Sequence, residues 1–227
     1  MRLTSRDERL IRDIALSHVL SRDQIIALGY FNSVTRANTR LRELIRCKYI
    51  AKLATPYFGQ HLYGAGSQAA PVAGERIARL LSGRRPTPRF VQHALAVTAS
   101  RIALDSKGYR DWRFEAQLRH EFLWCGEMRE IRPDGMARFD GLPTLIEVDL
   151  GHVTPLKFAR KLKTYEAFAL SGELLEVWGD TSLSILVLSC GRLRCSRLKR
   201  FIPTDSPVAF QIATFDDLGI SVAGGWS

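Results

Sequence analysis

The sequence predicts a mixed α+β and α/β chain of two domains, on three observations. Hydroxyl caps open three short helical segments within the first 46 residues. The stretch Gly83-Arg84-Arg85-Pro86-Thr87-Pro88-Arg89 breaks every periodic pattern. Beyond it, segments with the period of a strand alternate with segments of helical period. The expected divisions are residues 1–82, a linker at 83–90, and 91–227. At 227 residues, 46% hydrophobic and 25% charged, the chain can bury a core in each part.

Thr4-Ser5-Arg6-Asp7 fits a capping box, and Leu10, Ile11, Ile14 and Ala15 follow at helical spacing. Ser21-Arg22-Asp23-Gln24 is a second box, opening a short helix with Ile25, Ile26 and Leu28 that Gly29 can end in a left-handed turn. Ser33 then caps a third helix whose apolar stripe is Val34, Ala37, Leu41, Leu44 and Ile45. Tyr49 to Leu53 and His61 to Tyr63 flank Pro56-Tyr57-Phe58-Gly59-Gln60 as the two strands of a hairpin. Helix, short helix, turn, third helix and hairpin is the order of a winged helix-turn-helix. At 100° per residue, Thr35, Arg36, Thr39, Arg42, Glu43 and Arg46 share the outer face of the third helix, with Arg40 at its margin. Arginine and threonine on such a helix reach base edges and phosphates in a major groove, so double-stranded DNA is the expected partner. Arg36 and Thr39, near the helix start, suit base contacts; Lys52 and His61 on the hairpin suit phosphate. The alternative is a three-helix bundle with a solvated charged face. Ala73 to Leu81 can form one more amphipathic helix before the linker.

The charge balance agrees with a polyanionic partner: 33 Lys and Arg against 23 Asp and Glu give a formal charge of +10. No run approaches the about 18 apolar residues of a membrane helix, and Met1-Arg2-Leu3-Thr4-Ser5-Arg6 reads as no secretory signal, so no membrane partner and a cytoplasmic location are expected. Cys47, Cys125, Cys190 and Cys195 form no C-x-x-C pair and read as reduced thiols.

In the second part, Val91, Ala94, Leu95, Thr98, Ala99 and Ile102 stripe a long helix that Gly108 can end. Trp112, Phe114, Ala116 and Leu118 alternate with Arg113, Glu115, Gln117 and Arg119, the period of a half-buried strand. Strands are also expected at 135–140 and 144–150, turning at Gly141-Leu142-Pro143, and again at 183–189 and near 209–214, with a basic segment at 192–200. Thr154-Pro155 opens a helix to about Leu170 striped by Phe158, Leu162, Tyr165 and Ala169.

Within Leu145-Ile146-Glu147-Val148-Asp149-Leu150, Glu147 and Asp149 share one strand face, and Asp134 opens the neighbouring strand beside them. Gathered carboxylates call for protonation or a hard cation, so Asp134, Glu147 and Asp149 are candidate ligands of Mg²⁺ or Mn²⁺. Lys161 edges the apolar stripe of the following helix and needs an acidic partner, which that cluster can supply. Salt bridges of Glu147 and Asp149 with Lys161, Arg138 or Arg113 are the structural alternative. His93, His120 and His152 stand alone, His152 nearest the acidic strand.

This constellation resembles the PD-(D/E)xK nuclease-like fold. The whole chain resembles the replication-relaxation family of plasmid and mobile-element proteins. The likeness spans about residues 3–190 and rests on Leu3-Thr4-Ser5-Arg6-Asp7, Asp23-Gln24, His93, Trp112 with Glu115, Arg132-Pro133-Asp134-Gly135, Glu147-Val148-Asp149, and Lys161 with Tyr165. It implies an N-terminal winged helix joined to a nuclease-like domain with a mixed sheet, with Asp134 and Glu147 as metal ligands and Glu115 as an auxiliary acid. Where the nuclease motif has lysine two residues after Glu147, this chain has Asp149, so Lys161 either replaces it from the helix or the site does not cleave. The catalytic set expected by resemblance is thus Glu115, Asp134, Glu147, Asp149 and Lys161. Three functions follow: a mobile-element DNA-binding protein whose second domain engages DNA, a metal-dependent endodeoxyribonuclease, or a transcriptional regulator dimerising through that domain.

Overall fold

The computed structural model describes residues 2–53, 58–74 and 87–220. The chain divides into two compact units, Met1–Ile102 and Ala103–Val222. That division falls inside a long helix and not at the expected linker.

The first unit begins with α1 (Ser5–Ser17), β1 (Leu20–Ser21), α2 (Arg22–Ala27) and α3 (Val34–Arg46). Both capping boxes form, and the Ser33 hydroxyl accepts from the Arg36 amide at 3.3 Å. Gly29, at φ +80°, makes the turn after α2 that only a residue without Cβ adopts freely. Strands β2 (Ile50–Leu53) and β3 (Leu62–Ala65) pair antiparallel as predicted, and β1 adds a strand on the other side of β3. Leu10, Ile11, Ile14, Ile25, Ala37, Leu41, Leu44 and Ile50 are buried in one cluster. Val34, placed in that stripe by periodicity, is instead 46% exposed because it occupies the first position of α3, ahead of the packed turns. Gly66 crosses so close to the turn before β2 that a Cβ there would sit 2.2 Å from the Lys48 carbonyl oxygen.

Beyond α4 (Ala70–Ala73), most of the helix expected to Leu81 lies outside the described residues. Helix α5 (Pro88–Ser106) starts within the expected linker, its Phe90 amide donating to the Thr87 hydroxyl. Val91 and Ala94 on α5 pack with Val19 and Leu62, and Gln24 donates to the Leu95 carbonyl at 2.8 Å. The start of the expected second domain therefore belongs to the core of the first unit.

The second unit contains β4 (Arg110–Phe114), α6 (Glu115–Leu118), β5 (His120–Trp124), β6 (Glu127–Ile131), β7 (Gly135–Phe139), β8 (Leu142–Asp149), α7 (Pro155–Leu170), α8 (Glu173–Trp178), β9 (Ser184–Ser189), α9 (Arg192–Lys199) and β10 (Ala209–Thr214). Five strands form a mixed sheet in the order β10-β9-β8-β7-β4, while β5 and β6 pair as a separate hairpin. The strand expected from Trp112 to Arg119 ends at Phe114, where the Gln117 side chain caps the Phe114 amide at 3.0 Å and starts α6. Glu115 therefore lies at a helix start.

Strand β8 is central and pairs antiparallel with β7 and parallel with β9, which pairs parallel with β10. Crossovers between parallel strands are right-handed, so α7 and α9, leading onward in one direction, cover the same sheet face. Phe158, Leu162, Tyr165 and Phe168 of α7 and Leu198 of α9 share a core with Leu145, Ile185 and Val187. At the start of β7, a Cβ on Gly135 would lie 2.3 Å from the Trp112 ring, so glycine is what lets β4 close on the sheet.

Asp7 binds α1 to α3. Its side chain is fully buried and meets Arg40 through Nε at 3.0 Å and Nη2 at 2.6 Å, while the Thr4 amide and hydroxyl also donate to it. Burial pushes its carboxyl up, but the Arg40 and Thr4 bonds outweigh this and hold it at about 2. A depressed acid stabilises the fold above its ordinary pKa and loses that contribution as pH falls to the folded value. Amide exchange of α1 and α3 is expected to show a loss of about 2 kcal/mol between about pH 4 and pH 2. Asp7→Asn is expected to remove this dependence; an unchanged profile would place it elsewhere.

Candidate functional site

On α3, Thr35, Arg36, Thr39, Arg42 and Arg46 are all exposed. Among the described residues, Arg36, Arg42 and Arg46 make no ion pair; the Arg42 guanidinium only donates to the Asn38 carbonyl of its own helix. Arg40 differs. It is engaged by Asp7 and by Glu43 at 2.5 Å, so it is a structural cation and leaves the predicted DNA-contacting set. Lys52 and His61 are exposed on the hairpin strand and at the mouth of its turn. Met1–Ile102 holds seventeen Lys and Arg against six Asp and Glu, whereas Ala103–Val222 holds sixteen against seventeen. The whole positive excess therefore resides in the first unit.

In the second unit, β8 carries Glu147 and Asp149 on the sheet face covered by α7 and α9, and both are buried. Lys161, one α7 turn from Tyr165, donates to Glu147 Oε2 at 2.5 Å, and the buried Tyr165 hydroxyl donates to Oε1. Asp134 lies just ahead of β7, where its amide donates to the Ile146 carbonyl and its Oδ2 accepts from the Val148 amide at 2.7 Å. That carboxylate extends the β7–β8 ladder beyond Gly135.

Burial raises Glu147 to about 7; Lys161 opposes the shift and the Asp134 charge adds to it. Burial lowers Lys161, but Glu147, Asp134 and Glu115 more than compensate, so the net shift is upward and the ammonium is retained. Two carboxylates sharing one ammonium leave a net negative charge, and a proton on Glu147 relieves it. The charge of Glu115, which is ion-paired with Arg132, acts on Lys161 and Tyr165. Glu115, Asp134, Glu147 and Lys161 are thus brought together.

Asp149 is not part of that group. Arg194 of α9 grips it through Nε at 2.7 Å and Nη2 at 3.0 Å, and Ser189 donates to it at 2.8 Å. The same Arg194 donates to the Val153 carbonyl, fastening the loop after β8. Arg138, offered as a partner for these acids, instead forks onto Asp180, and Arg113 stays exposed. Arg194 and Tyr165 are the residues whose contacts sequence reasoning missed. His120 pairs with Glu173 at 2.8 Å, and His152 is exposed.

The expected metal set of Asp134, Glu147 and Asp149 does not fit a bound Mg²⁺ or Mn²⁺. Both Glu147 oxygens and both Asp149 oxygens already accept from side chains, and Asp134 accepts from the backbone. Among the described residues, no group of three or more His, Cys, Asp or Glu side chains is placed to hold a metal.

These features define a mixed α+β protein that joins a strongly basic helical unit to a sheet unit centred on a buried carboxylate–lysine–tyrosine cluster. The chain belongs to the replication-relaxation family, whose profile matches residues 11–177. No protein of curated function matches it. Among solved structures, protein VC1899 from Vibrio cholerae is similar at 10% identity and a TM-score of 0.35, over 96% of this chain and 55% of that one. The chain thus spans about half the length of that protein. No helix among the described residues is long and apolar enough to cross a membrane.

An acid raised by burial stabilises the fold fully below its ordinary pKa, and that contribution is lost as pH rises through the folded value. For Glu147 the window runs from about 4.5 to about 7. Unfolding followed by tryptophan fluorescence, with Trp112, Trp124 and Trp178 in the second unit, is expected to show stability falling across that window. Glu147→Gln is expected to flatten the fall, and Lys161→Met to move it to higher pH. A slope that survives Glu147→Gln would assign it to another group.

Proposed function

We propose that this chain is a DNA-binding protein of a mobile element or of its replication control. In this reading the first unit is a winged helix that reads double-stranded DNA, and the second is a PD-(D/E)xK nuclease-like domain that engages DNA without cleaving it. The carrying observation is the outer face of α3, where Thr35, Arg36, Thr39, Arg42 and Arg46 stand exposed while Arg40 is consumed in the ion pair that holds the helix in place. A helix braced in this way presents its free cations as a rigid row to a major groove. Arg36 and Thr39, one turn apart near the start of α3, suit base edges; Arg42 and Arg46 suit phosphate, as do Lys52 and His61 from the hairpin. The charge excess of the first unit supplies steering and counterion release. Membership of the replication-relaxation family favours a role in copying or mobilising DNA.

The non-cleaving reading rests on the engaged carboxylates. Hydrolysis by metal-activated water needs a metal held by open carboxylate oxygens, and here those oxygens already serve Lys161, Tyr165, Arg194 and Ser189. An endonuclease has one observation in its favour: Lys161 reaches Glu147 from α7, where the motif's own lysine is replaced by Asp149.

One preparation tests both halves. Arg36→Ala with Arg42→Ala is expected to weaken duplex binding at least tenfold and to lower its salt slope by about 2. An unchanged affinity would remove α3 from the interface. The wild-type protein, incubated with supercoiled DNA in Mg²⁺ or Mn²⁺, is expected to leave it intact. Nicking that Asp134→Ala or Glu147→Gln abolishes would establish the endonuclease instead.

A further inference from the structure

We propose that the second unit carries its own phosphate-binding surface, formed by the outer faces of α7 and α9 and fitted to the backbone of a DNA duplex. This unit has sixteen Lys and Arg, and seven are ion-paired with nearby acids: Arg110, Arg119, Arg129, Arg132, Arg138, Lys161 and Arg194. Of the nine that are not, only Lys107 and Arg113 lie elsewhere. The other seven, Lys157, Arg160, Lys163, Arg192, Arg197, Lys199 and Arg200, sit on α7, on α9 or at the C-cap of α9. All seven are exposed.

The two helices lie together on one sheet face. The contacts at β8 require this, since Lys161 of α7 and Arg194 of α9 reach acids two residues apart on the same side of one strand. Each helix thus spends one inward cation on a buried carboxylate and keeps the rest outside. Leu162, Phe158 and Leu198 bury the inner faces, so the outward residues share one surface. Glu166 on α7 is half-buried, and Asp217 lies close enough to Arg192 and Lys199 for its charge to respond to both. Discounting those two cations leaves Lys157, Arg160, Lys163, Arg197 and Arg200 with no acidic partner among the described residues.

The concentration is not a by-product of net charge, because this unit as a whole has one more acid than base. Apart from Arg113, its other arginines are neutralised where they stand, and seven of the nine open cations collect on one face. Flexible Lys and Arg on two adjoining helices match a line of phosphates and carry no sequence preference. The inference rests on the duplex-binding reading above and adds a second, sequence-independent contact to it.

The test uses the full chain and a non-specific DNA duplex, with affinity measured across a salt series. The variant is Lys157→Gln, Arg160→Gln, Lys163→Gln, Arg197→Gln and Arg200→Gln together. Its log–log salt slope is expected to fall by roughly 2 to 4 and its affinity by about tenfold or more, since each released phosphate contact removes about 0.9 from the slope. The companion in which each of these lysines becomes arginine and each arginine lysine is expected to bind as wild type, which separates lost charge from lost folding. An unchanged slope in the glutamine variant, while Arg36→Ala with Arg42→Ala still weakens binding, would overturn this surface and leave the α3 reading standing. Loss of binding to anionic phospholipid vesicles in place of DNA would overturn it in favour of a lipid partner. Wild-type protein that binds no duplex at all would sink both readings.

Discussion

Two carboxylates buried side by side on β8 dictate much of the second unit. A strand that carries Glu147 and Asp149 into the covered face of a sheet brings an electrostatic cost that apolar packing alone cannot offset. Each acid therefore has a dedicated cation, delivered by a different helix: Lys161 by α7 and Arg194 by α9. Right-handed crossovers put both helices on the same face, and each ion pair turns its helix so that one cation faces β8. Arg194 also pins the loop after β8 through Val153. Packing of Tyr165 and Leu198 follows from that rotation, and so does the outward aim of the remaining basic residues.

The first unit solves a similar problem once. Asp7 is at the same time a capping residue for α1 and the counter-ion of Arg40 on α3. One buried carboxylate thus joins a local helix signal to a tertiary contact, and the helix it anchors is the one with the exposed basic face. Arg40 is the inner cation, and Arg36, Arg42 and Arg46 are left outside. Both units therefore divide their cations between those that hold the fold and those left exposed.

What was legible in the sequence was mostly local. Thr4, Ser21 and Ser33 mark helix starts because a cap is satisfied within three residues of itself. Strands β7 and β8, helix α7 and strand β9 were readable from period and turn residues. The alternation from Trp112 to Leu118 misled because it runs on past Phe114, where a single side-chain bond from Gln117 turns the chain into a helix. The β5–β6 hairpin was invisible because its turn uses Cys125 at φ 51° before Gly126 at φ 80°, a position where asparagine is the usual signal. In the site, Lys161 was found because it shares a helix face with Tyr165. Arg194 was not, since it lies 45 residues from Asp149 in a segment that reads only as basic. Arg40 was misassigned for the same reason, its partner being 33 residues upstream.

The uneven charge between the units has a consequence for how the chain behaves in a field. A pI of about 9.8 describes neither half. The first unit, with its large positive excess, is pulled as a whole toward any polyanion. The second, nearly neutral but with its open cations gathered on two helices, feels little net pull and instead experiences a torque that turns that face toward negative potential. Attraction and orientation are thus assigned to different parts of one polypeptide.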